Sequence, residues 1–107
     1  MMIMAVMELV PRVDTRQAML EVLRFVEERV RRNRECLECG VFEGADERQQ
    51  VLYIEQWRSA KDLNAHIQSG LYLSILNAME LASEKPKISF YKVSQTQSME
   101  LIEELRS

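Results

Sequence analysis

The residues best suited to chemistry stand close together, between positions 53 and 72. His66 is the one histidine in 107 residues and the one side chain whose ordinary titration falls near neutral pH, so it is the first candidate for a general base. Asp62 precedes it by four residues, one helical turn away, where a carboxylate can bond a ring nitrogen and orient it. That carboxylate and a helix carboxyl end both favour the protonated ring. A cationic His66 would hold an anion better than it would take a proton. Upstream, Tyr53, Glu55 and Trp57 alternate along one strand face. Glu55 is the unusual member, because a carboxylate on a buried face needs a partner; Arg24 and Arg58 are the candidates. Each residue also has a plainer reading. His66 flanks an apolar stripe and can be a boundary side chain, Trp57 a plug between sheet and helix, and Tyr53 and Tyr72 core residues with bonded hydroxyls.

The elements that must position these groups follow from periodicity. Val51 to Trp57 alternates as a strand and stops at Arg58. Ser59 with Asp62 three residues on forms a capping-box-like start to a helix, with Ala60, Leu63 and Ile67 on one side. Ser69-Gly70 breaks it, and a further helix runs from about Leu71 to Ser83, with Leu73, Leu76 and either Met79 or Glu80 on a face joined by Tyr72, Ile75 and Leu81. Earlier, Ile3 to Val10 reads as the first strand, bounded by Pro11. Asp14 is placed as an N-cap, with Gln17 in the reciprocal position. Met19, Leu23, Val26 and Val30, widened by Val22 and Phe25, mark a helix over 15–33. Glu35 to Glu43 is the second strand and Gly44 to Gln50 a polar turn. Lys87 to Val93 alternates as the fourth strand, and Ser98 caps a short helix with Leu101, Ile102 and Leu105 on one side.

Cys36 and Cys39 form a C-x-x-C. In a redox motif the pair stands at a helix N-terminus, which lowers a thiol pKa. Here the surroundings read as a strand, where residues three apart point to opposite faces. A zinc site needs two further ligands that one histidine cannot supply. Ordinary free thiols are the expectation, and no metal site is assigned.

Composition bounds the function classes. The 107 residues, 47% apolar and 29% charged with three Gly and two Pro, describe one ordered domain. Its core spans about 2–95 and its terminal helix about 98–106. A net charge of −3 provides no field toward nucleic acid or anionic lipid. Arg29, Arg31, Arg32 and Arg34 cluster at a helix end instead of interleaving with aromatics on a strand, so RNA binding is not expected. Met1 to Met7 lacks a basic n-region and is too short to span a bilayer. A soluble, cytoplasmic protein without membrane or nucleic-acid partners is the reading.

The order β-α-β-β-α-β, with its second helix split in two and a helix added at the end, is the α+β, ferredoxin-like split βαβ arrangement. It gives a four-stranded antiparallel sheet with helices on one face. The other face is too apolar to stay in water, which predicts a homodimer; coverage by the terminal helix within one chain is the alternative.

Tyr53-Ile54-Glu55-Gln56-Trp57, then Ala65-His66-Ile67-Gln68-Ser69 and Tyr72, resemble the Y-x-E-x-W...H-x-x-S...Y pattern of the antibiotic biosynthesis monooxygenase domain. Lys85 to Tyr91 is similar to that family's last strand. The likeness runs from Ile3 to Val93 and is strongest in the second half. It implies a dimeric α+β barrel and, in each subunit, a small-molecule pocket between sheet and helices. The family includes cofactor-free oxygenases of quinols and polyketide phenols, haem-degrading enzymes and isomerases of small signalling molecules, so it constrains fold better than reaction. For a cofactor-free oxygenase, His66 and Asp62 would be the catalytic pair, and Tyr53, Glu55, Trp57, Tyr72 and Phe90 would bind a small aromatic substrate. Haem is not expected: in the haem-degrading relatives the axial ligand comes from beyond His66, and Leu71 to Glu84 has no histidine. The first strand also lacks the asparagine of that subgroup. A dimeric module that binds a small molecule without turning it over, or an isomerase on the same fold, is the alternative reading.

Overall fold

The computed structural model describes all 107 residues. Its elements are β1 (Met2–Leu9), α1 (Arg16–Arg31), β2 (Cys36–Glu43), β3 (Val51–Trp57), α2 (Ala60–Ile67), α3 (Tyr72–Glu80), β4 (Lys87–Val93) and α4 (Met99–Arg106). Period-two alternation makes the strands. In β1 the odd residues Ile3, Ala5, Met7 and Leu9 are buried and the even ones half-buried; in β3 Val51, Tyr53, Glu55 and Trp57 are buried in the same way. The strands pair antiparallel in the order β2-β3-β1-β4, with Ala5 opposite both Glu55 and Phe90. This is the ferredoxin-like topology expected from the element order, with the second helix split into α2 and α3.

Helices cover one face. α1 supplies Met19, Leu20, Leu23, Val26 and Val30 to the core, and α3 packs against it. Phe25, expected to widen the apolar stripe, is out at the surface beneath the Arg29 guanidinium, which lies 3.7 Å from its ring centre. Asp14 and Gln17 do not cap this helix. Its N-cap is Thr15, whose hydroxyl donates to the Leu81 carbonyl at 2.7 Å and so ties the start of α1 to the end of α3. Gln17 bonds Glu21 instead.

In α2 the Ser59 cap forms as expected: its oxygen accepts from the Asp62 N–H at 3.3 Å and its hydroxyl donates to Asp62 Oδ2 at 2.6 Å. The helix is rotated from the expected stripe, however. Leu63 and His66 are buried, while Ala60 and Ile67 face outward. α3 is turned likewise, with Tyr72, Ile75 and Ala78 inward and Leu73 and Leu76 exposed.

The opposite face of the sheet carries Met2, Met4, Val6, Leu52 and Ile54, all half-buried, with the exposed Phe42 folded over Gly40. A Cβ at Gly40 would come within 2.7 Å of the Phe42 ring, so glycine is what lets the ring lie there. α4 buries none of its residues and does not cover this face. No helix is long and apolar enough to cross a membrane.

The cap on α2 carries a measurable expectation. Ser59→Ala should lower stability by about 1 kcal/mol in urea unfolding, the usual cost of losing such a cap, and should leave the m-value unchanged.

Candidate active site

Period-two spacing puts Tyr53, Glu55 and Trp57 side by side on the covered face of β3, and α2 lowers His66 onto them. Glu55 is 2% exposed and His66 7%. Tyr53 donates its hydroxyl to Glu55 Oε2 at 2.6 Å, and Trp57 donates Nε1–H to Oε1 at 2.9 Å. His66 Nε2 lies 2.9 Å from Oε2. Cys39, across the ladder on β2, extends the network with its thiol 3.4 Å from the Tyr53 oxygen. A buried carboxylate with bonds on both oxygens offsets much of its desolvation cost. The His66 ring is held between two aromatics. Trp57 stacks on it at 4.8 Å between centres with 30° between planes, and Tyr72 meets it edge-on at 5.2 Å and 84°.

On its other side His66 lines a cavity of about 300 Å³ bounded by Arg29, Val30, Asn33, Trp57, Asp62, Ala65, Ser69 and Leu71. That volume is at the small end of ligand sites. The walls come from the end of α1, from α2 and from the α2–α3 junction, where the Ser69 hydroxyl donates to the His66 carbonyl at 2.6 Å. The lining thus draws on an imidazole, an arginine, a carboxamide and an indole.

The residues singled out from the sequence are therefore divided. His66, Trp57 and Asp62 reach the cavity. Asp62 does not orient the imidazole, because its side chain is taken by Ser59; Glu55 holds the ring instead. Neither arginine considered for Glu55 partners it, since Arg24 pairs with Glu43 and Arg58 with Glu35. Glu55 and Tyr53 are thus behind the ring and off the cavity wall, and Tyr72 braces the ring from its edge. Phe90 is elsewhere, in a separate apolar hollow of about 270 Å³ with Ile3, Leu63 and Ile67. Arg29 and Asn33 escaped notice because their run at the end of α1 reads as a solvated helix terminus. Only the docking of that terminus beside α2 makes them wall residues.

Burial pushes the Tyr53 hydroxyl far above its ordinary range, with the Glu55 charge adding to it; Tyr72 is raised by the same two causes in the same order. Both therefore stay protonated, and Tyr53 donates. Cys36 and Cys39 were expected on opposite faces of a regular strand. A β-bulge between Cys36 and Glu38 changes the register, placing Cys36 opposite Trp57 and Cys39 opposite Glu55, on one face. Burial, with the Glu55 charge among the smaller causes, lifts Cys36 to about 11 and Cys39 to about 12, the reverse of a reactive thiol. No cluster of three or more His, Cys, Asp or Glu side chains has metal-site geometry.

A two-layer ferredoxin-like α+β domain with a histidine-lined cavity between sheet and helices is the class these features define. The family model for antibiotic biosynthesis monooxygenase matches residues 2–78. The chain belongs to that family. The match stops short of β4, so the likeness of Lys85 to Tyr91 to the family's last strand rests on the fold. Among solved structures, Rv0793 of Mycobacterium tuberculosis superposes with a TM-score of 0.82 at 22% identity, covering 92% of this chain and 100% of that one. A Bacteroides thetaiotaomicron protein described as of unknown function and a possible oxidoreductase gives 0.79 at 19%, covering 86% and 97%. A third, described as an antibiotic biosynthesis monooxygenase, gives 0.76 at 13%, covering 87% and 99%. At these identities the likeness is one of fold. No curated protein is significantly similar in sequence.

The raised thiols predict alkaline behaviour. Because their folded-state pKa values of about 11 and 12 exceed the ordinary 9.0, their contribution to stability is complete below pH 9 and is lost as pH rises through 11 to 12. Ultraviolet titration of thiolate should show little ionisation at pH 9 in the folded protein. Full ionisation there would contradict the burial described.

Proposed function

We propose that the protein is a cofactor-independent monooxygenase that oxidises a small electron-rich aromatic, of quinol or polyketide-phenol type, with dioxygen. Family membership supports the monooxygenase class. The observation that carries the reading is a buried imidazole, backed by a carboxylate and packed on Trp57, in the lining of a small cavity.

On this reading His66 takes a hydroxyl proton from the substrate, and the anion gives an electron to dioxygen. Recombination of the pair forms a carbon–oxygen bond. The second oxygen atom leaves as water with two hydrogens from the substrate, so dioxygen is both oxidant and oxygen source. The protein supplies a base and an aromatic wall, with the base's own carboxylate partner buried in the core. Asp62 lines the cavity as a contact residue. Binding without turnover is the second reading, favoured by the placement of Glu55 off the cavity wall, where its bonds also serve packing.

The working form is proposed to be a homodimer joined through the uncovered sheet face. Met4, Val6, Leu52 and Ile54, half-buried, and the exposed Phe42 make this face apolar, and a second copy would take those side chains out of water. Its two free thiols suit a reducing cytoplasm.

Oxygen uptake by the purified, metal-free protein against quinols and hydroxylated anthrones tests the reaction. Uptake above autoxidation should appear with at least one, and His66→Ala should lower kcat by at least about 100-fold, the usual worth of a general base. Uptake unchanged by that substitution would remove His66 from the chemistry. Light scattering should give twice the chain mass of 12.6 kDa, and Ile54→Lys should shift it to the monomer. A wild-type monomer at micromolar concentration would end the dimer proposal.

A further inference from the structure

Glu55 accepts hydrogens from groups that have them to give. Trp57 Nε1 is a donor only. The Tyr53 oxygen is 3.4 Å from the Cys39 sulfur and 2.6 Å from Glu55 Oε2, so a thiol hydrogen reaching Tyr53 leaves the phenol's own hydrogen for the carboxylate. The third neighbour, His66 Nε2, meets the same oxygen that Tyr53 does. An oxygen already receiving one hydrogen as part of a carboxylate is best satisfied by a second donor. His66 makes no other side-chain hydrogen bond within the chain, so Nδ1 is the nitrogen without a partner. Trp57 against its face and Tyr72 edge-on pack the ring in this orientation.

We propose that Glu55 is a positioning residue that holds His66 in its Nε2–H form, so that Nδ1, the nitrogen without a partner, is the one that takes the hydroxyl proton of the phenolic ligand proposed above and holds its anion. This rests on the cavity being the working site, but not on the use of dioxygen. On binding, the ligand's O–H bond breaks, its electron pair stays on oxygen, and an N–H bond forms at Nδ1. The resulting imidazolium lies between two negative charges, Glu55 behind and the ligand oxygen in front. The Glu55–His66 pairing is removed from water, where a charge-assisted hydrogen bond is strong. Arg29 and Asp62 add one charge of each sign at the wall, and Asp62 is already bonded to Ser59. The buried Glu55–His66 pair therefore decides what the cavity prefers.

The probe is 4-nitrophenol, whose anion absorbs visible light and whose neutral form does not. At a pH below that at which the free probe ionises, adding the full-length protein should raise phenolate absorbance. Glu55→Gln should weaken phenolate binding by at least about tenfold, the effect of one hydrogen bond to a charged group. Because glutamine can still accept from Nε2–H, an undiminished signal in that variant overturns the part given to the Glu55 charge in holding the imidazolium. No phenolate signal with the wild type overturns the ligand class. Nitrogen-15 NMR of the single histidine needs no variant: the ligand-free neutral ring should carry its hydrogen on Nε2, and Nδ1 should gain one when 4-nitrophenol is added. A ligand-free Nδ1–H form overturns the positioning role even if Glu55→Gln does not fold. Oxygen uptake enters none of these readings, so a failed oxidation assay and a failed ligand assignment are told apart.

Discussion

The carboxylate of Glu55, placed in the apolar core of a small domain, is the constraint to which the surrounding structure answers. Removing an ion from water costs several kcal/mol even after relaxation, and only good hydrogen bonds offset it. Two of the donors come from the strand itself, because residues at i−2 and i+2 point to the same face. Tyr53 and Trp57 flank Glu55 on that account and reach both its oxygens. The third donor has to come from another element, and it is His66 on α2. That requirement sets the rotation of the helix. Hydrophobicity alone would turn Ala60, Leu63 and Ile67 inward. With His66 held on Glu55, Leu63 remains in the core and Ile67 is swung out to 38% exposure.

The same interaction explains which parts of the structure were legible in the sequence. Strands were readable because alternation is local: β3 and β4 fall on the residues their patterns mark, and the Ser59 cap needs only three neighbours to declare itself. What escaped depends on contacts across the chain. Glu55 offered a choice of arginines when its partner was a histidine eleven residues on, since sequence distance does not show which helix face will meet the sheet. Asp62 was assigned to His66 by its one-turn spacing, yet the nearer Ser59 hydroxyl claims it. The C-x-x-C was read with the regular two-residue period, and one bulge in β2 was enough to put both thiols on one face. Thr15 takes over from Asp14 at the start of α1 because its hydroxyl finds the end of α3, a partner 66 residues away. Phe90 was grouped with the site by composition, but β4 is an edge strand, two strands away from β3 in the sheet.

The two nitrogens of His66 divide the molecule between stability and chemistry. Nε2 belongs to the core network, whose Tyr53 and cysteine members burial keeps protonated, so that they donate and do not compete as bases. Nδ1, the nitrogen without a partner, is the one left for a ligand on the proposed reading. A substitution on the core side would therefore disturb folding and reactivity together, whereas one at Arg29 or Asn33 alters the wall without touching the buried carboxylate.

That coupling bears on why a costly buried ion would be kept at a site of the proposed kind. An exposed histidine close to a carboxylate gains little, because water screens the pair and competes for both nitrogens. In the core the pair holds one ring orientation, and Trp57 closes its face against solvent. The imidazole is then prepared before any ligand arrives, and proton transfer to it creates a charge that already has its partner in place. Such preorganisation is where a protein's electrostatic contribution to a reaction is largest. On the proposed reading, the stability spent on burying Glu55 is recovered as a base that needs no rearrangement to act.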